Sequence, residues 1–463
     1  MNKTLLSIAV AASFVLSGQA QAGAHAEIYA DFPITVKNYT GAKTYSEAYT
    51  GQIARHTLHN SAKKLVSKGA SLEQTKAYFS GKDEGRKIID PVSKDGFPML
   101  QTHVDKISKG KNLSGKAYKG LISGMPGSLT GAELLELMLE KAAATEKGFD
   151  PLTGYDYTQL FSKFAMGAVF YNQAVDNYLD EKLAADVNPN SKAYKEGKPY
   201  TGKEHVWDEA FGYFGAPAHT LALTAEEVYG IAKQKSDSFA KADHNGDGKV
   251  SLVTEMAYAH AYYAASFDKG GKTKYLHTIV QAFIDGRKLI TSANGEALTD
   301  AQRSELMGYA QVIKTHWQRV IAESVFKYAG SVYGDIEKLE TIIEANGDAA
   351  KAYRNYVKHW GELKGFALAL EAGGVNLGEA GVKLNRLLGY SPILLGNTQV
   401  TGLVNGEFVQ SPSISMGEYQ VQMIKVQKLM VDSFGVEARS KDMTANLAKL
   451  VDSLGASMAA END

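Results

Sequence analysis

Apolar side chains along this chain recur mostly every three or four positions, the spacing that gathers them on one face of a helix. From Tyr45 onward Ile53, Leu58, Ala62 and Leu65 keep that spacing, with Lys63, Lys64 and Lys68 near the end that a helix dipole offers to cations. Residues 71–79 open on a Ser-x-Glu start and predict a second helix. Residues 130–147, with a Thr cap and a Glu in the first turn, predict a third. Residues 157–184 are mostly apolar all round, which predicts a helix central to a bundle. The second half predicts helices over 252–267, 274–290, 300–333, 336–346, 349–371, 377–388, 416–434 and 443–459. Only 400–415 sets β-branched residues around an Asn405-Gly406 pair, the signature of a small hairpin. The fold class that follows is all-α, a helical bundle with a minor hairpin.

Less regular stretches separate these elements. Residues 27–44 read as an irregular arm, 90–129 as an insertion with short helices around 101–107, and 186–202 as a polar loop. The string from Glu84 to Ile89 is matched by the one from Asp285 to Ile290, and His59 and His260 each stand 27 residues before the matching Arg86 and Arg287. Likewise His205-x-x-Asp208 is answered by His359-x-x-Glu362. These coincidences predict an internal duplication: two bundle halves, 23–240 and 256–463, joined through 241–255. An interface between such halves is a natural place for a binding site.

Composition narrows the functional classes. The N-terminus carries Lys3, a largely apolar run from Leu5 to Leu16 and Ala20-Gln21-Ala22, which predicts a secretory signal peptide over 1–22 and a periplasmic or secreted protein. No later stretch approaches the length of a transmembrane helix, so no membrane span is expected. The absence of cysteine excludes disulfides, thiolate ligands and thiol catalysis. Lys plus Arg number 50 against 51 Asp plus Glu, which argues against a nucleic-acid partner and for a small one.

The chemistry centres on residues 201–215. His205, Asp208 and Glu209 stand at i, i+3 and i+4, one face of a helix. Two readings are open: a hydrogen-bonded or solvated cluster, and a metal site. In metal-binding bundles, inward His and carboxylate groups one turn apart reach the same ion. Nitrogen and oxygen donors without sulfur suit iron, zinc or manganese, and His359 and Glu362 would add donors from the second half. Arg86 and Arg287 read as structural salt bridges in preference to anion ligands, and His56, His59 and His260 as core or helix-surface histidines. Residues 243–251 follow a calcium loop of EF-hand type. Side-chain oxygens come from Asp243, Asn245 and Asp247, then the carbonyl of Lys249 and the hydroxyl of Ser251. Thr254 occupies the twelfth position and Glu255 arrives one residue late. Calcium there would fix the orientation of the halves; the competing reading is a turn that caps the next helix. No HExxH, G-x-S-x-G or P-loop is present, so a binding protein is expected before an enzyme.

The Gly202, His205 and Asp208 pattern, HVWDEAFGYFG at 205–215, the Tyr-x-Gly-Gln-x-Ala-Arg string at 49–55 and the NGDGKVSL loop resemble a branch of secreted bacterial proteins related to the imelysins. The hallmark of that family is G-x-H-x-x-E; here Asp208 stands for its acid and Gly202 lies one residue further from the histidine. The resemblance implies a double helical bundle, a location in the cell envelope with an uptake partner there, and an association with iron. The expectation is therefore a secreted protein that holds iron, another transition metal or a small metal-bearing ligand. The alternatives are a metal-dependent hydrolase or peptidase with Asp208 or Glu209 as base, and a calcium-stabilised surface module.

Overall fold

A computed structural model describes residues 28–89, 96–374 and 376–447. The expected signal peptide, residues 90–95 of the insertion and most of the predicted helix over 443–459 lie outside the described residues. Helices dominate the rest, in the order α1 (Thr50–Ser67), α2 (Leu72–Phe79), α3 (Gly131–Ala143), α4 (Tyr157–Ala165), α5 (Gly202–Phe214), α6 (Ala225–Lys233) and the short α7 (Phe239–Ala242). They continue with α8 (Ala259–Asp268), α9 (Tyr275–Ser292), α10 (Asp300–Glu344), α11 (Ala350–Glu371), α12 (Gly378–Leu388) and α13 (Met416–Phe434). The predicted hairpin is β3–β4 (Thr398–Val404 and Glu407–Pro412), turning on Asn405 and Gly406, both at positive φ as such a turn needs. A smaller hairpin, β1–β2 (Phe149–Asp150 and Tyr155–Asp156), carries too few residues to leave an alternating pattern.

Local chemistry explains most boundaries. Ser71, Thr130, Thr201, Thr224, Thr299 and Ser415 each cap a helix whose third residue, Glu or Gln, reaches back to the cap's own N–H. Three departures from the expected helices are informative. The segments predicted at 300–333 and 336–346 are one helix of 45 residues, about 68 Å long. Gly334 inside it has open space around it and no proline interrupts. The helix predicted over 157–184 begins as α4 but widens to i→i+5 turns over Met166–Tyr171 and Gln173–Tyr178. Residues 252–258 are not helical, so the helix expected from 252 starts at Ala259.

α10 packs against α8, α9, α11 and α13, and α11 against α4, so elements from both halves of the sequence share one contiguous core running from Tyr29 to Ala438. The look-alike strings at Arg86 and Arg287 have different settings: Arg287 lies in α9, whereas Arg86 lies in a loop. Among the described residues no helix is long and apolar enough to cross a membrane.

Candidate functional site

α5 is set by its ends and by one glycine on its neighbour. The Thr201–Glu204 capping box starts it, and Gly215 at φ +80° ends it where any side chain would meet Tyr258 and His56. Gly286 of α9 lets the Trp207 indole lie flat on that helix: a Cβ there would come 2.1 Å from the ring. Trp207 Nε1 donates to the Phe283 carbonyl at 2.8 Å, which fixes α5 against α9 and sets Arg287 opposite Glu204 and Asp208.

That face is closed. Arg287 has no exposure and donates to Glu204 Oε1 (3.0 Å), Asp208 Oδ1 (2.9 Å) and Ser46 Oγ (2.6 Å). Asp208 also accepts from the Tyr29 hydroxyl (2.7 Å) on Oδ1 and from the Ala48 N–H (3.0 Å) on Oδ2. The arm before α1 is therefore stitched to α5 through this network, with Thr35 donating to Glu204. Burial pushes the Asp208 carboxyl up to about 6 against the pull of Arg287, and burial pushes Glu47 up to about 7. Both oxygens of Asp208 are engaged, so it is a structural anchor and not a free metal donor. Arg287 is the buried ion pair that the sequence reading favours; Arg86 instead donates to the carbonyls of Ala77, Gly81, Asp83 and Lys111.

One residue further round α5 the chemistry changes. His205 Nε2 stands 3.6 Å from Glu209 Oε2, and both side chains are partly exposed, 11% and 17%. Tyr194 and Tyr200 of the preceding loop flank the imidazole, with ring centroids 3.8 and 4.9 Å away. His205 Nδ1 is buried without a hydrogen-bond partner, and Nε2 is beyond hydrogen-bonding distance of Glu209. Burial lowers the imidazole to about 4, against Glu209, so the ring is neutral at physiological pH and its lone pair is available. Glu209 accepts from Gln52 Nε2 at 2.6 Å. Positive charges crowd round it: Arg55, Lys111, Lys116, Lys182 and Lys195 all bear on the His205–Glu209 cleft. Burial pulls Lys111 and Lys116 down.

The remaining predicted residues lie in other settings. His359 Nδ1 pairs with Asp335 of α10, and Glu362 Oε1 accepts from Tyr328 (3.2 Å) and faces Lys163 Nζ at 3.8 Å. Neither shares a partner with His205 or Glu209, so the second pair does not complete the first. Among the described residues no three His, Asp or Glu side chains are gathered as a ready ligand set. In the loop 243–255, Asp243 accepts from the N–H groups of Asp247 (3.1 Å) and Gly248 (2.9 Å), Asn245 from Asp247 (3.0 Å), and Asp247 from Lys249 (2.9 Å). Ser251 Oγ accepts from the Val253 and Thr254 N–H groups, and Val250 pairs with Met99. Glu255 is buried and its carboxylate accepts from the N–H groups of His244, Asn245 and Ser251, a capping task that explains its one-residue displacement.

The lysines and tyrosines of the cleft escape sequence reasoning because they come from three separate segments; the signal available was the Tyr194-Lys195 and Tyr200 content of a loop read only as polar. A family model described as a domain of unknown function (DUF4856) matches residues 138–371, which include α5 and its loop. No curated protein and no solved structure matches the chain.

Proposed function

We propose, for a chain that belongs to the DUF4856 family of domains of unknown function, that the cleft at His205 and Glu209 binds a transition metal carried by a small anionic ligand. The observation that carries this reading is the His205 imidazole: neutral, unbonded at Nδ1, and 3.6 Å from a carboxylate oxygen without a hydrogen bond between them. Nε2 is the nitrogen that faces the carboxylate, so it and Glu209 Oε2 present one nitrogen and one oxygen donor to a bound group. Imidazole nitrogen with carboxylate oxygen suits iron, zinc or manganese, and the likeness to imelysins adds iron as the first candidate. Two protein donors leave most of the coordination to the ligand. The surrounding cations repel a bare metal ion but attract an anionic chelate, which decides between the two forms of cargo. The biological role is then capture in the cell envelope, with calcium in the 243–251 loop as a separate stabilising ion.

Calorimetric titration of the mature protein with Mn²⁺, Zn²⁺ and ferric citrate tests the reading. The chelate should bind more tightly than either free ion, and His205→Ala and Glu209→Gln should each weaken it at least tenfold. Equal binding by wild type and both variants would overturn the assignment. A hydrolase reading finds less support, because Asp208 is locked by Arg287 and Glu209 already accepts a hydrogen bond from Gln52.

A further inference from the structure

Asn172 stands where two stretches of widened helix meet, Met166–Tyr171 and Gln173–Tyr178. Turns closed by i→i+5 bonds are rare and are frequent at functional sites. Here they change which side chains share a face. In an ordinary helix residue i+5 is turned about 140° away from residue i, whereas in the wider turn residues i+4 and i+5 flank it. Asn172, Asp176 and Asn177 accordingly line one pocket of ≈ 420 Å³, together with residues 115–120 of the loop before α3.

The polar groups of this pocket are not consumed by the fold. Asn172 is only 6% exposed, and its amide makes no hydrogen bond among the described residues. Its polar atoms are not sealed off, so they open onto the pocket. The Asp176 carboxylate has neither a hydrogen bond nor an ion pair among the described residues. Asn177 donates to Gln173 (3.1 Å), and Gln173 to the Lys116 carbonyl (3.2 Å), which ties the loop to the widened helix.

Tyr118 forms the wall between this pocket and a second one. Its N–H donates to the Ala168 carbonyl (2.8 Å) and its carbonyl accepts from the Ala132 N–H (3.0 Å). Gly120 and Gly131 leave room for it, since a Cβ at either would strike Tyr118. The second pocket, ≈ 400 Å³, is lined by Leu121 and Val382 as well as Tyr118. Both aliphatic side chains are well exposed, 65% and 60%. Gly374, which also lines it, lies against Asp176, and a Cβ there would strike the carboxylate. The two pockets therefore adjoin along one ring and one acid.

This lining selects a neutral ligand rich in hydroxyls. Asp176 and Glu181 are matched in it by Lys116 and Lys119, so neither sign of charge dominates. An amide both donates and accepts, and a carboxylate accepts, which suits hydroxyl groups that do both. A saccharide ring carries hydroxyls round its edge and C–H groups on its faces; the edge suits Asn172 and Asp176, and a face suits the tyrosine ring. A phosphate would require an excess of cations, and no group of acids or histidines among the described residues is gathered for a bare metal ion.

We propose that the groove on the two sides of Tyr118 binds a neutral saccharide of at least two rings, with Asn172 and Asp176 hydrogen-bonded to the hydroxyls of one ring and Tyr118 stacked on its face. The proposal is independent of the His205 cleft and of its cargo.

Saturation-transfer difference NMR and calorimetry on the mature protein test it, with maltose, cellobiose, lactose and N,N′-diacetylchitobiose as probes. At least one should bind saturably. Asp176→Ala and Asn172→Leu should each weaken that binding at least tenfold. Tyr118→Leu should weaken it about fivefold and remove the saturation transfer to the C–H groups of one sugar face. Lys428→Met, at an exposed position of α13, should leave it unchanged. If Asn172→Leu fails to fold, the half-buried Asp176 and Tyr118 positions decide the matter. Saturable binding of none of the four probes, binding that survives in Asp176→Ala and Tyr118→Leu, or an equal loss in Lys428→Met would overturn the assignment.

Discussion

Acid should unfold this protein well above the pH at which ordinary carboxylates titrate, and three histidines are the reason. His56, His59 and His260 are almost wholly buried, and burial lowers each from 6.5 to about 3. His56 and His59 have one carbonyl partner each, Gly212 and Ser162, and both nitrogens of His260 lack a partner. A base whose folded pKa lies below its unfolded value takes up its proton more readily in the unfolded chain. Stability is therefore intact above pH 6.5 and is lost as the pH falls toward 3. From pH 7 to pH 5 each of the three loses about 2 kcal/mol, and His205, lowered to about 4, loses a similar amount. Asp208 and Glu47 work in the opposite sense, since burial raises them to about 6 and about 7, and the folded chain holds their protons more tightly. Over the same interval they return about 3.5 kcal/mol between them, less than the roughly 6 kcal/mol lost at the three buried histidines. For these groups alone the balance is a loss of about 2 kcal/mol, or about 4 kcal/mol with His205, against the 5–15 kcal/mol typical of folded chains. Denaturant titrations at pH 7, 6 and 5, followed by tryptophan fluorescence, measure it directly. His260→Phe should flatten the slope by about 1.4 kcal/mol per pH unit between pH 4 and 6. It should also stabilise at pH 7 by about 1 kcal/mol, because two unpaired buried nitrogens are removed. Stability that is level or rising from pH 7 to pH 5, or a slope that His260→Phe leaves unchanged, would refute the reasoning.

Four further outcomes are expected. Arg287→Met should cost about 3–5 kcal/mol by leaving Glu204 and Asp208 buried without their cation, as read from the denaturation midpoint. Lys203→Met should cost about 2 kcal/mol, since Lys203 Nζ serves the carbonyls of Lys182, Ala184 and Val187 at 3.1, 2.6 and 2.6 Å; faster amide exchange across 182–187 should accompany the loss. Calcium at one hundred times its dissociation constant should stabilise the chain by about 2.7 kcal/mol, and Asp243→Ala should abolish that rise in melting temperature. Asp208→Asn should lower stability yet leave ligand binding by the surviving folded protein nearly unchanged, whereas Glu209→Gln should do the reverse in paired melting and calorimetry experiments.

The long helices were legible because their periods, caps and terminal glycines all point the same way. α13 spans 416–434 as its pattern predicts, and the Asn405-Gly406 pair alone places the hairpin. Boundaries inside apolar runs were not legible: nothing in the sequence of 157–184 distinguishes an ordinary helix from the wider turns at Met166–Tyr178. The candidate cleft was half legible. Spacing alone pairs His205 with Glu209, but Gln52, Arg55, Lys111 and Lys116 reach it from segments far away in sequence.

Why spacing overreaches at Asp208 follows from helix geometry. Successive residues are turned by about 100°, so a run of His, Asp and Glu at i, i+3 and i+4 covers a face about as wide as a whole apolar stripe. Such a face meets two neighbours when the helix is buried between them, and α5 is buried along nearly its whole length. Glu204 and Asp208, four apart, meet the guanidinium of Arg287 on the α9 side. His205 and Glu209, also four apart but one position on, meet α1 and the 194–200 loop. The two i, i+4 pairs share a spacing and differ in consequence: Glu204 and Asp208 find the buried Arg287 cation, whereas in the other pair the His205 ring keeps an unpaired nitrogen beside Glu209. A motif of adjacent acids on a buried helix is therefore resolved by asking which of them has a charged partner in the core: the acid that has one anchors the fold, and the acid beside it is the one left to bind.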